Sequence, residues 1–222
     1  MNTAMKARSS PEEYISILIR ERTGVHLEAR HHTMIDSRLR SRINSLGLAS
    51  LEEYVSYLDE HLEQELEDLV SLLTTHHTFF FREYGHFEFL AAKLPTLVAE
   101  VGARDDKTIR VWSAASSRGQ EMYSLAMFLD YHLKTFYSHT GVSYSILGTD
   151  VDAESVERAK NGVYPRNELK EVPLNFLGDH WARGTGEIEN FVKAKKSLKD
   201  KLEFRVGNLL EISPTLLSRK FD

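Results

Sequence analysis

Apolar residues over the first seventy positions recur every three or four residues, the spacing of one helix face. Ser10-Pro11-Glu12-Glu13 is a capping box with proline at the first helical position, so a helix starts there and buries Tyr14, Ile15, Leu18 and Ile19 until Gly24 ends it. A second helix turns Ile35, Leu39, Ile43 and Leu46 inward and stops at Gly47. Ser50-Leu51-Glu52-Glu53 repeats the box. A third helix then carries Leu51, Tyr54, Val55, Leu58 and Leu62, and a fourth carries Leu66, Leu69, Val70 and Leu73. Residues 1–73 read as a small all-helical domain.

The pattern changes in the linker Thr74 to Glu83. Three consecutive phenylalanines, Phe79 to Phe81, fit neither an amphipathic helix nor a half-buried strand; two rings are expected in the core and at least one against a ligand or interface. Helical spacing resumes at Phe87, Leu90, Ala91 and Leu94, with a kink or restart at Pro95 before Val98 and Val101. Ile109 and Val111 alternate with Arg110 and Trp112, small residues run from Ser113 to Ser117, the chain turns at Gly119, and a helix continues over Gln120 to Phe136. A second strand covers Tyr144 to Asp150, a helix Ala153 to Asn161, and a third strand Leu202 to Val206. Between them lies a mixed polar region with a turn at Gly184-Thr185-Gly186. Strands alternating with helices predict a parallel sheet in residues 74–222, the three carboxyl ends side by side. Phe221-Asp222 reads as the start of a fourth strand, so the sheet is expected to be unfinished where the sequence stops.

Composition narrows the class. The 222 residues include no cysteine, which excludes a disulfide framework or a thiolate metal site and fits a reducing compartment. No apolar run approaches a membrane span and the N-terminus lacks the apolar core of a secretory signal; a cytoplasmic chain with no direct membrane insertion is expected. The formal charge of −5 is unevenly spread: residues 1–42 hold eight Lys/Arg, whereas residues 43–73 hold eight Asp/Glu and no Lys/Arg. An acidic chain of this kind predicts no nucleic-acid partner, while a local basic face can steer an acidic one. Arg38 and Arg42 share a flank of the second helix beside Arg40. They either pair with the acidic helices or dock an acidic protein helix.

Candidate chemistry gathers at the carboxyl ends of the strands, where ligands bind in open α/β sheets. With one glycine, the loop before Gln120 is not a dinucleotide fingerprint, and Glu121 opposes a phosphate. A carboxylate there suits a ligand bearing an ammonium group, such as the methionine end of S-adenosylmethionine, or else serves the helix dipole. Asp150 ends the second strand and is placed to accept ribose hydroxyls, with Asp152 as the alternative; a helix cap is the other reading. Asn208, after the third strand, bonds adenine or ribose or forms a turn. Arg82 pairs with Glu83 or Glu88, or holds a carboxylate bidentately. His76-His77 lacks carboxylates at ligand spacing, so no metal site is expected.

The TTxxTxFFR-like linker, the VWSAASSxGxExYS loop, the TDVD strand end with its later GVY, the RGTG turn and the NLL segment, in this order after a helical module, resemble the CheR family. These are S-adenosylmethionine-dependent methyltransferases of bacterial chemoreceptors. The resemblance implies a Rossmann-like class I methyltransferase domain preceded by a small all-α domain. It implies that Thr78, Arg82, Glu121, Asp150, Asn208 and Leu209 contact the cofactor, with Arg82 also near the reacting methyl and Arg38 and Arg42 docking the substrate. His76 falls at a cofactor-contacting position where the family usually has asparagine; Arg118 and Met122 stand in place of threonine and proline. The implied partner is the cytoplasmic domain of a methyl-accepting chemoreceptor, and the implied products are a glutamate methyl ester and S-adenosylhomocysteine. A small β-subdomain that some members use to bind a receptor tail is expected after Asp222. The competing class is a CheR-like module that binds the cofactor as a sensor or scaffold.

Overall fold

Ser10 and Ser50 start their helices as the sequence implies. The Ser10 hydroxyl accepts the Glu13 N–H at 3.3 Å, opening α1 (Pro11–Thr23), and Gly24 ends it in a left-handed conformation at φ 77°. α2 spans His32–Ser45. The Ser50 hydroxyl accepts the Glu53 N–H at 3.3 Å, and the Glu53 carboxylate accepts the Ala49 N–H at 2.7 Å. These caps open α3 (Leu51–Leu73), in which the two expected helices follow one another across a kink. No glycine or proline lies between Leu62 and Leu66, and the apolar stripe keeps its phase across them. The kink falls at His61 (φ −126°, ψ 17°), beside the expected break, and the His61 ring stacks on Tyr57 with centroids 4.1 Å apart.

This computed structural model describes residues 10–74 and 77–222, divided into two compact units. Of the described residues, the helical unit takes in 10–74 together with Val151–Ala153 and Asn208–Glu211. Its core is Ile15, Ile19, Ile35, Leu39, Tyr54, Leu58, Leu69 and Leu73, each at most 1% exposed. No described helix is long and apolar enough to cross a membrane.

The second unit comprises His76–Asp150, Glu154–Gly207 and Ile212–Asp222. It opens with α4 (Tyr84–Gly102), which runs unbroken through Pro95. Proline removes one backbone hydrogen bond there, and buried Phe87, Leu94, Val98 and Val101 anchor the helix on both sides of it. Then come β1 (Thr108–Ala114), α5 (Gln120–Phe136), β2 (Ser143–Asp150) and α6 (Ala153–Asn161). Three short strands, β3 (Val163–Pro165), β4 (Trp181–Arg183) and β5 (Phe191–Ala194), precede β6 (Leu202–Val206).

β1, β2 and β6 form a parallel sheet with β2 in the centre. Ala114 pairs with Thr149 and Asp150 with Val206, so all three carboxyl ends meet at one edge. Gly148 lets α5 lie close on β2, because a Cβ there would overlap the Met122 sulfur. At the edge of β1 away from β2, Asp222 donates its N–H to the Arg110 carbonyl at 2.9 Å, and its carboxylate accepts the Arg110 N–H. Residues 163–194, read from sequence as a mixed polar region, hold a second, antiparallel sheet in the order β3-β5-β4. Strands of three or four residues are too short to show alternation.

Candidate functional site

The segment between β1 and α5 is held in an unusual backbone. Ala115 (φ 60°), Ser117 (φ 49°) and Gly119 (φ 88°) are left-handed at alternate positions, a conformation that favours glycine although only the third is one. Gly119 cannot be replaced even by alanine without a clash, since its Cβ would lie 2.8 Å from that of Ala159 on α6. Two hydrogen bonds tie the loop to β2: the Ser116 N–H donates to the Thr149 carbonyl at 2.9 Å, and the Ser117 N–H donates to the side-chain Oδ2 of Asp150 at 2.7 Å. Asp150 thus stands at the tip of the central strand with its carboxylate turned to the loop. Asp152, the alternative, is 2% exposed and lies just before α6.

Glu121 occupies the first turn of α5, with an exposed side chain. The Ser113 hydroxyl, from β1, donates to its Oε1 at 2.7 Å and fixes the carboxylate's direction. Between the two acids, the side chains of residues 116–120 are poorly satisfied. Ser116 Oγ, Ser117 Oγ, Arg118 Nε and Gln120 Oε1 are the enclosed side-chain polar atoms without a hydrogen-bond partner among the described residues. Buried polar groups are nearly always paired, and four orphans in five residues mark a place completed by something else. The other end of Gln120 is engaged, its Nε2 donating to Glu168 Oε2 at 3.1 Å.

In the linker, Phe80 and Phe81 are buried at 2% and 6% exposure and Phe79 is 47% exposed, the division the sequence implies. The Phe81 N–H donates to Ser124 Oγ at 2.9 Å, seating the linker on α5. Thr78 is half-buried. Arg82 is exposed; its Nη1 donates to the His77 carbonyl at 3.0 Å and its Nε lies 3.8 Å from Glu83. His76 lies outside the described residues.

Asn208 and Leu209 group with the helical unit. The Asn208 side chain forms a turn, accepting the Leu210 N–H at 3.0 Å, and donates to the Arg22 carbonyl at 2.6 Å. Two arginines of the basic flank of α2 bond to α3 and its C-terminus. Arg38 donates to the carbonyls of Leu72 and Thr74, at 3.2 and 2.8 Å, closing the α3 C-terminus. Arg42 grips Glu65 bidentately at 2.8 and 2.7 Å and reaches Asp68 at 2.7 Å, while the Tyr54 hydroxyl donates to Glu65 at 2.8 Å. Burial alone would raise the Glu65 carboxyl pKa, but the hydrogen bonds from Arg42 and Tyr54 outweigh it and hold it below the ordinary range. Arg40, 70% exposed, pairs with Asp36. Among the described residues no group of three or more His, Asp or Glu side chains is placed to hold a metal ion.

The sequence placed Glu121 in a first helical turn and Asp150 at a strand tip, where they lie, but not Ser113, the left-handed residues or the orphans. Ala114 and Ser116 are as small as Ala115 and Ser117, so nothing in the sequence marked Ala115 and Ser117 as left-handed.

Residues 13–74 match the model of the CheR methyltransferase all-alpha domain, and residues 76–222 that of the CheR methyltransferase SAM binding domain. The chain is 35% identical over 197 residues to the chemotaxis protein methyltransferase of Escherichia coli K12, covering 88% of this chain and 65% of that protein. It is 32% identical over 210 residues to the chemotaxis protein methyltransferase of Borreliella burgdorferi, covering 90% and 69%. Against chemotaxis protein methyltransferase 2 of Pseudomonas aeruginosa the figures are 36% over 198 residues, 87% and 67%. The chain thus spans about two thirds of the length of these relatives. With a family model over each of its two parts and a strand-end site carrying two fixed acids, the chain belongs to the CheR methyltransferase family.

Proposed function

We propose that this chain transfers a methyl group from S-adenosylmethionine to a glutamate side chain on the cytoplasmic domain of a chemoreceptor, leaving a methyl ester and S-adenosylhomocysteine. The observation that carries this reading is the pair of oriented carboxylates, Glu121 held by Ser113 and Asp150 held by the Ser117 N–H, flanking the unsatisfied loop of the family's SAM binding domain. Their chemistry fits the group: Glu121 takes the ammonium of the methionine end and Asp150 the ribose hydroxyls. The cofactor, when bound, supplies a sulfonium-activated methyl group.

The rest is positioning by the chain. A glutamate side chain, with an unperturbed pKa of about 4.3, is already ionised at neutral pH, so no general base is required. Arg82 orients that carboxylate; its weak ties to His77 and Glu83 leave it able to turn to a substrate. Thr78, on the same linker, supports the cofactor, and His76 takes the role of the family's asparagine. The helical unit docks the acidic receptor helix through Arg38 and Arg42.

Incubation with tritiated cofactor and receptor-containing membranes tests the reaction. Base-labile label on the receptor is the expected result; cofactor binding without methyl ester would give the sensor reading instead. Arg82→Ala should lower turnover on the order of a hundredfold, the cost of losing one positioning contact. Arg82→Lys should retain part of it, and undiminished turnover in Arg82→Ala would remove Arg82 from the mechanism.

A further inference from the structure

Arg118 is the least explained charge in the second unit. It sits between left-handed Ser117 and Gly119, three residues before Glu121, and is half-buried. Its backbone carbonyl accepts the Tyr164 hydroxyl at 2.5 Å, which pins the residue. Yet its side chain makes no hydrogen bond or ion pair with any described residue, and Nε is enclosed without an acceptor. Holding a partly buried guanidinium unpaired is unfavourable, and pairing it with a carboxylate is the usual remedy. Only Nε is among the enclosed orphan atoms, so the Nη pair remains open to a ligand.

The neighbouring orphans define what that ligand carries. Gln120, 3% exposed, presents Oε1, which can only accept. Glu121 also only accepts when ionised. Ser116, 2% exposed, and Ser117 offer hydroxyls that do either. Along the chain a cation with open Nη atoms is followed three residues later by an exposed carboxylate, an order that matches a group bearing a carboxylate and an ammonium on one carbon. We infer that Arg118 is a positioning residue that grips the carboxylate of the cofactor's amino-acid end while Glu121 takes its ammonium. This rests on the reading of the loop as the S-adenosylmethionine site and adds a residue to it.

Titration calorimetry of the full chain with S-adenosylhomocysteine and with 5′-methylthioadenosine, which keeps sulfur and adenosine but lacks the amino-acid end, tests it. Arg118→Ala should weaken the first ligand about ten- to a hundredfold, as for loss of a hydrogen bond to a charged group, and leave the second unchanged. Arg118→Lys, which keeps the charge without the fork, should recover part of the loss and guards against a folding defect. Equal losses for both ligands, or none for either, overturn the inference. An unchanged affinity for the first ligand with a raised receptor KM would move the grip to the substrate carboxylate and also overturn it. A wild-type chain that binds neither ligand would instead bring down the reading of the site.

Discussion

Ser117 concentrates the loop's cost in one residue: a left-handed backbone at φ 49° and an enclosed hydroxyl with no partner. Left-handed backbone costs an L-residue about 1–2 kcal/mol, and an unpaired buried hydroxyl adds to that. Glycine removes both terms at the price of a looser unfolded chain. Ser117→Gly should therefore raise the melting temperature by about 1–3 °C, on the usual scale for a protein of this size. A fall would show that the serine is satisfied in solution. The two acids at this scale were legible because each has a positional reason, the first turn of a helix and the tip of a strand. The left-handed residues were not, because Ala115 and Ser117 do not announce a conformation that glycine would. Arg118 was legible only as a departure, since its lack of a partner is a fact of three-dimensional packing.

Among the elements, α2 and α3 are joined by the Arg42–Glu65 pair, with Glu65 only 2% exposed. Removing one partner leaves a buried charge uncompensated, so Arg42→Ala should destabilise the helical unit by about 3–5 kcal/mol in urea unfolding. Because the folded-state pKa of Glu65 is depressed, its contribution is fully present above the ordinary glutamate range and is lost as pH falls through the folded value. The wild-type unit should lose stability as pH drops below about 4, and Arg42→Ala should lose less over that range. A pH-independent difference between the two would contradict the assignment. Docking separates from this structural role through charge. Arg42→Lys keeps the charge but loses the fork, and should weaken folding while sparing receptor KM; a KM that rises only as the folded fraction falls would leave the flank purely structural. Element type and most boundaries followed from periodicity: α5, α6 and β6 lie where the pattern put them. The pattern also put a break close to where His61 kinks α3, while at Pro95 the helix does not restart but runs on to Gly102.

For the molecule as a whole, the helical unit and the sheet unit each have their own core, and each matches its own CheR family model. The parallel order with β2 central brings Glu121 and Asp150 to one edge from residues far apart in sequence. That juxtaposition was foreseeable from strand–helix alternation, whereas the small antiparallel sheet at residues 163–194 was not. The function proposed for the sheet unit turns on these two carboxylates holding the cofactor from both ends. Calorimetric titration of S-adenosylmethionine into the wild-type chain, Glu121→Gln and Asp150→Asn decides whether they do. Binding by the wild type is expected, with a loss of about tenfold or more in each variant, as for removing a charged hydrogen-bonding partner. Undiminished affinity in both variants would refute it.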